Sequence, residues 1–213
     1  MPIVKDYQFQ KMPKWAGLKK YLRKDLLPDE TVEICEKEYP KVALMPISGT
    51  ITVIEDEKET VCEVGHAYEP AKNCFQVRGF PYYYVEKASF ILMCGDWRKV
   101  DISIFRVGQY DHPQNPGTPA PYYRNTGFDN HYHDFDEFWI VYEGRGVAYS
   151  EDVPYEMGPG DCLATGKGWH HDFPIVHEFV CALGVETEGS GQNRPGHLCE
   201  QRHGKAIPEK DRI

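Results

Sequence analysis

Residues 131–144 read HYHDFDEFWIVYEG, and residues 166–171 read GKGWHH. These two segments constrain the fold more than any other part of the chain. His131 and His133 are two apart, so on an extended strand both side chains leave one face. Glu137, Trp139 and Val141 keep the same parity. A lone HxH is common on wet surfaces, but here it is followed by a carboxylate, by glycines at 144 and 146, and by a second histidine-bearing turn. Imidazoles and a carboxylate converging on one point suit a borderline divalent cation such as Zn, Fe, Mn, Co or Ni.

The layout resembles the cupin superfamily. Its first motif runs glycine, HxH, three or four residues, Glu, six residues, Gly; its second runs Gly, usually Asp, then PxGxxH. In this chain the first is His131, His133, three residues, Glu137, six residues and Gly144. The second is Gly160-Asp161 and then Gly166-Lys167-Gly168-Trp169-His170-His171, which puts His171 at the ligand position. Two departures stand: Gly166 replaces the proline, and Gly127 lies two residues too close to the HxH. Neither touches a ligand. The resemblance implies one divalent metal ion held by His131, His133, Glu137 and His171. It also implies an all-β fold, the cupin-type double-stranded β-helix or jelly-roll barrel. The clear motifs span residues 125–180, and they carry nothing specific about substrate.

The chain has 213 residues, enough for one sizeable core or two small ones. Its net charge is −9 with no basic block, which disfavours nucleic acid and anionic membrane surfaces as partners. No apolar run reaches the length of a membrane span, and the first fifteen residues lack an apolar stretch of signal-peptide length. The seven cysteines are scattered, without a CxxC, and read as small buried hydrophobes in a cytoplasmic protein rather than as a disulfide set.

Along the chain, Trp15, Leu18, Tyr21, Leu22 and Leu26 recur at three-and-four spacing before Pro28, which predicts one short N-terminal amphipathic helix over 14–27. Most of the remainder reads as short strands between Gly, Pro, Asn and Asp: 51–54, 81–86, 88–94, 100–107, 137–143 and 177–186. Residues 108–127, rich in proline and aromatics, read as a loop packed over a barrel mouth. A faint repeat is visible. Gly49 is followed sixteen residues on by Gly65, as Gly144 is by Gly160, and Phe75 falls where His171 would lie. These features predict a helical segment over 1–40, a degenerate cupin half without metal over 41–99, a metal-binding barrel over 100–190 and a tail over 191–213. The whole would be a compact bicupin.

Three imidazoles and one carboxylate leave open positions on a bound cation, as catalytic sites do, whereas closed structural zinc sites favour thiolates. Trp139 and Phe173 follow ligands at strand parity, and Tyr122 and Tyr123 sit on the nearby loop, so all four are candidates for contact with a small organic substrate. Core filling explains the same aromatics. His170 is a candidate proton shuttle, though a capped surface histidine has the same sequence signature. Arg106 and Arg124 could pair with a substrate carboxylate. His112, His177, His197 and His203 show no mutual spacing and read as non-ligands. The leading expectation is a metal-dependent enzyme acting on a small polar molecule: a sugar or sugar-acid isomerase, epimerase or lyase using metal-stabilised enediolate chemistry. A ferrous or manganese dioxygenase is the alternative within enzymes, and a non-catalytic small-ligand-binding protein the alternative outside them. A homodimer is compatible with each.

Overall fold

A computed structural model describes residues 3–80, 86–109, 117–188 and 194–212. It is built almost wholly of antiparallel strands, and the chain divides into two compact units. Residues 17–97 form one; residues 1–16 and 98–213 form the other.

Among its described residues the first unit holds seven strands: β2 (Leu18–Leu26), β3 (Thr31–Cys35), β4 (Lys41–Ser48), β5 (Ile51–Glu55), β6 (Lys58–Cys62), β7 (Cys74–Gly79) and β8 (Ala88–Gly95). They make two sheets, ordered β2-β8-β4 and β3-β7-β5-β6. The inner faces share one apolar cluster that includes Leu26, Ile34, Val42, Phe75, Phe90 and Leu92.

The second unit begins with β1 (Ile3–Val4) and continues with β9 (Val100–Val107), β10 (Asp136–Glu143), β11 (Gly146–Ser150), β12 (Val153–Met157), β13 (Cys162–Thr165), β14 (His171–Val176) and β15 (Val180–Thr187). Its sheets run β1-β13-β10-β15-β9 and β12-β11-β14. Between them lies a core with Trp139, Val141, Leu163, Phe173, Val180 and Ala182. The C-terminal segment carries a single-turn helix, α1 (Glu200–His203), and Trp169 Nε1 donates to the Glu209 carbonyl at 2.9 Å.

The two units repeat one topology. β2-β8-β4 corresponds to β9-β15-β10, and the Leu44–Tyr68 bridge stands where β13 pairs with β10. The β5–β6 hairpin corresponds to β11–β12, and β7 to β14. β3 runs beside β7 as the His131 segment bridges β14. The paired glycines take the same backbone state, with φ of 66° and 85° at Gly49 and Gly65 and 76° and 93° at Gly144 and Gly160. At Gly144 a side chain is excluded twice over, since a Cβ would lie 2.0 Å from the Phe179 carbonyl oxygen.

Three expectations change. The segment expected as a helix over 14–27 is strand β2. Leu22 and Leu26 lie opposite Leu92 and Ala88 of β8, and a bulge between Leu18 and Lys20 breaks the alternation that would have marked it. Helical spacing loses because β8, buried along its whole length, takes its backbone partners from β2 and β4. The expected boundaries move with it, since β2 and β3 belong with residues 41–97 and the first sixteen residues with the metal-motif unit. Cys35 and Cys74, opposite one another on β3 and β7, form a disulfide, which removes the cysteine argument for a reducing compartment. The strand expected over 81–86 falls at 81–85 outside the described residues, whereas 88–94 lies within buried β8. Among the described residues no helix is long and apolar enough to cross a membrane.

Candidate metal centre

His131 reaches the site through an isolated bridge. Its N–H donates to the His171 carbonyl at 3.1 Å, and the His171 N–H returns to its carbonyl at 2.8 Å. That pairing sets His131 on the second sheet beside β14, while Glu137 stands on β10 of the first. His133, two residues beyond His131, shares its face. One point of the barrel interior thus collects His131, His133, Glu137 and His171, whose ligand atoms all lie within 4.8 Å of one another. His131 Nε2 is 3.1 Å from His133 Nε2, and Glu137 Oε2 lies 3.2 Å from His133 Nε2 and 2.8 Å from His171 Nε2. All four side chains are buried.

Every imidazole is held from behind. The Nδ1 atoms of His131, His133 and His171 lie 2.9, 3.1 and 2.9 Å from the carbonyl oxygens of Asp129, Gly196 and Trp169. A carbonyl only accepts, so each Nδ1 carries the proton and each Nε2 presents a lone pair inward. Glu137 Oε2 and His171 Nε2 are buried without a hydrogen-bond partner. Three inward lone pairs and a carboxylate repel one another unless a cation sits among them. The donor set therefore fits a divalent ion, with both nitrogen and oxygen donors and no thiolate.

Electrostatics follow the same arrangement. Burial pushes His131 far below its ordinary range, and the neighbouring imidazoles add to the effect. Burial also lowers His171, against the pull of Glu137. Burial would raise Glu137, but His133 and His171 hold its carboxyl well below the usual range. His133 rises despite burial because it faces Glu137.

The wall behind the ligands is aromatic. Trp139 meets His171 edge-on at 5.0 Å, and Phe128 packs against Trp139 at 5.2 Å and His131 at 5.7 Å. Gly184 on β15 leaves the space this arrangement needs, since a Cβ there would lie 3.3 Å from Glu137 Oε1. Glu186 on β15 stands in register opposite Glu137, and burial pushes its carboxyl up. Phe135 stacks on His133 at 4.6 Å and helps line a cavity of about 400 Å³, together with Asp101, Glu186, Pro195 and Gly196.

The other expected site residues are placed differently. Trp139 and Phe173 are core residues, 2% and 0% exposed, beneath the ligands and not at a mouth. Tyr122 stacks on Tyr149 at 3.9 Å and bonds Asp172, and Tyr123 is 74% exposed. His170 points away from the cluster and is tied to Glu151, whose carboxylate accepts its backbone N–H at 2.6 Å. Arg124 is bonded to buried Asp172 at 2.6 Å, and Arg106 is exposed on β9. Sequence reasoning missed Asp129, Glu186 and His197. Asp129 keeps strand parity with His131 and could have been found that way. Glu186 requires the strand register, and His197 has no spacing signal at all.

Residues 119–178 match the AraC-like ligand binding domain family. The chain is 38% identical over 110 residues to the uncharacterized protein y4oW of Sinorhizobium fredii, covering 52% of this chain and 51% of that one. Over 52 residues it is 41% identical to the HTH-type transcriptional activator RhaR of Pectobacterium atrosepticum, covering 24% of this chain and 18% of that one. It thus spans about half of the first relative and less than a fifth of the second. A variant of Bacillus subtilis oxalate decarboxylase superposes with a TM-score of 0.54 at 9% identity, covering 87% of this chain and 71% of that one, a likeness of fold alone. Fold and histidine motifs define a β-barrel protein with a buried site able to bind a metal. Its fold is of the cupin type, and its histidine motifs resemble those of the cupin superfamily.

Proposed function

We propose that the second unit is a metal-dependent enzyme acting on a small polar molecule by proton transfer at carbon, as a sugar or sugar-acid isomerase, epimerase or lyase does. The observation that carries this reading is the set of four inward-facing donors with all three Nδ1 atoms locked by carbonyls. His131, His133, Glu137 and His171 would hold one divalent ion. When bound, such an ion polarises substrate oxygens and stabilises negative charge that develops beside them. Glu137 is fixed between two imidazoles and serves as a ligand, not as a mobile base. Glu186, opposite it and lining the cavity, offers the proton acceptor on the substrate side; His170 is turned away and has no part in this reading. The aromatic wall of Trp139 and Phe128 excludes water behind the site. Glu186→Gln should lower turnover about 10²–10⁴-fold while leaving metal content unchanged.

The first unit is read as a degenerate cupin half. Counting from the glycine turns and through the strand register, Ile34, Val42 and Phe75 stand where His131, Glu137 and His171 stand. None offers a ligand atom, and all three belong to one apolar cluster.

A second reading is supported by the match to a ligand-binding family over 119–178, namely a non-catalytic small-ligand sensor. The dioxygenase alternative rests on the ligand set alone. Metal analysis of protein purified without added ions, run beside an oxygen-uptake screen, separates the enzymes. Manganese, zinc, nickel or cobalt without oxygen consumption is the expected result. Iron with oxygen consumption would replace the isomerase or lyase reading with the dioxygenase.

A further inference from the structure

His197 lies outside both motifs, yet its ring is laid flat on a ligand. The His131 and His197 imidazoles are 3.6 Å apart and 2° from parallel. The segment that carries His197 is anchored on both sides. Arg194 bonds the Asp134 carboxylate through Nε at 2.7 Å and Nη2 at 3.1 Å, and Leu198 exchanges backbone hydrogen bonds with Tyr132 at 3.0 Å each. Asp129 orients the two rings together. Its carbonyl accepts from His131 Nδ1 and its carboxylate from His197 Nδ1, both at 2.9 Å.

Because the rings are parallel and both turn Nδ1 toward Asp129, their Nε2 edges face the same way. His131 Nε2 faces the point where the four donors meet, 3.1 Å from His133 Nε2. His197 Nε2 is therefore directed alongside that point, displaced by one ring spacing. That offset is too large for a fifth ligand and suits a hydrogen bond to a molecule beside the ion. Exposure agrees: the His197 side chain is 46% exposed, whereas none of the four ligands exceeds 7%. Of the histidines gathered here, His197 is the exposed one.

We propose that His197 is a substrate-binding residue. Its Nε2 exchanges a hydrogen bond with the oxygen or anionic group of a small molecule on the open side of the ligand set, and Asp129 holds the ring in place. This inference rests on the metal reading above, and its test separates the two. The protein is loaded with Co²⁺, its cobalt content is measured, and azide is titrated while the visible absorption of the cobalt is followed. His197→Phe keeps a flat ring on His131 and removes both nitrogens; His197→Gln restores a polar group. All three proteins should hold one cobalt per chain and melt at the same temperature without metal. Azide should bind about tenfold more weakly to His197→Phe, with part of the loss recovered in His197→Gln. Equal azide affinity in the wild type and His197→Phe would overturn the assignment. So would loss of cobalt from His197→Phe alone, which would make His197 a support for His131. A wild type that takes up no cobalt would overturn the metal reading itself.

Discussion

The Nδ1 contacts of the three histidines turn four side chains into a preorganised donor set, and each contact is to a backbone carbonyl that no side-chain substitution removes. The same loop that presents Asp129 depends on a buried charge pair. Arg124 bridges the Phe128 carbonyl at 2.7 Å and the Asp172 carboxylate at 2.6 Å, and the Asp172 side chain is fully buried. Arg124→Ala should destabilise the protein by about 3 kcal/mol, because it leaves an uncompensated buried carboxylate; urea denaturation measures it, and a loss below about 1 kcal/mol would assign the pair to the surface. Cysteine reactivity tests burial in the same direct way. Burial pushes Cys62 up to about 11 and Cys94 up to about 12, and Cys162 also rises. At pH 8 a thiol reagent should label Cys199 alone in the native protein, and all five free thiols once it is unfolded without reductant. Raised thiols add stability that is whole below their unfolded pKa of about 8.5, so stability should fall as pH climbs from there toward 11 and 12. The convergence of His131, His133, Glu137 and His171 was legible because strand parity and motif spacing are local. The aromatics were not, since a ring two residues from a ligand satisfies core and pocket equally, and Trp139 and Phe173 went to the core.

Strands were read well where β-branched and aromatic residues cluster between turn residues, as in β5, β9, β10 and β15. β2 was misread because Leu18, Tyr21, Leu22 and Leu26 fit a helical stripe and a bulged strand alike, and only the demand of β8 for partners decides between them. The repeat was faint for a physical reason as well. The two units share their topology and glycine turns, while the positions that carry His131, Glu137 and His171 in one are apolar in the other. Equivalent positions should accordingly respond in opposite ways. Val42→Glu buries a carboxylate among Ile34, Phe75 and Leu44 and should cost about 3 kcal/mol or more. Glu137→Val removes a buried charge and should leave the metal-free protein at least as stable as the wild type. Denaturant titration of metal-free proteins compares the two, and a destabilised Glu137→Val would mean that Glu137 supports the fold without metal.

The chain carries one fold pattern twice, once with ionisable groups at its centre and once with an apolar cluster. Residues 125–180, where the motifs lie, announced the fold and the site together. The C-terminal segment did not, because its contribution is a carbonyl from Gly196 and a ring from His197, neither of which has a sequence signature. The Cys35–Cys74 disulfide closes a loop with a sequence separation of 39. Cys35→Ala should cost about 2–4 kcal/mol under oxidising conditions and little under reducing ones, as read from urea midpoints in each buffer. The metal content of purified protein, measured by inductively coupled plasma mass spectrometry for the wild type and for His131→Ala/His171→Ala, bears most directly on the centre. One divalent ion per chain in the wild type and none in the folded double variant is the predicted result. Near-stoichiometric metal in the double variant, or none in the wild type, would contradict it.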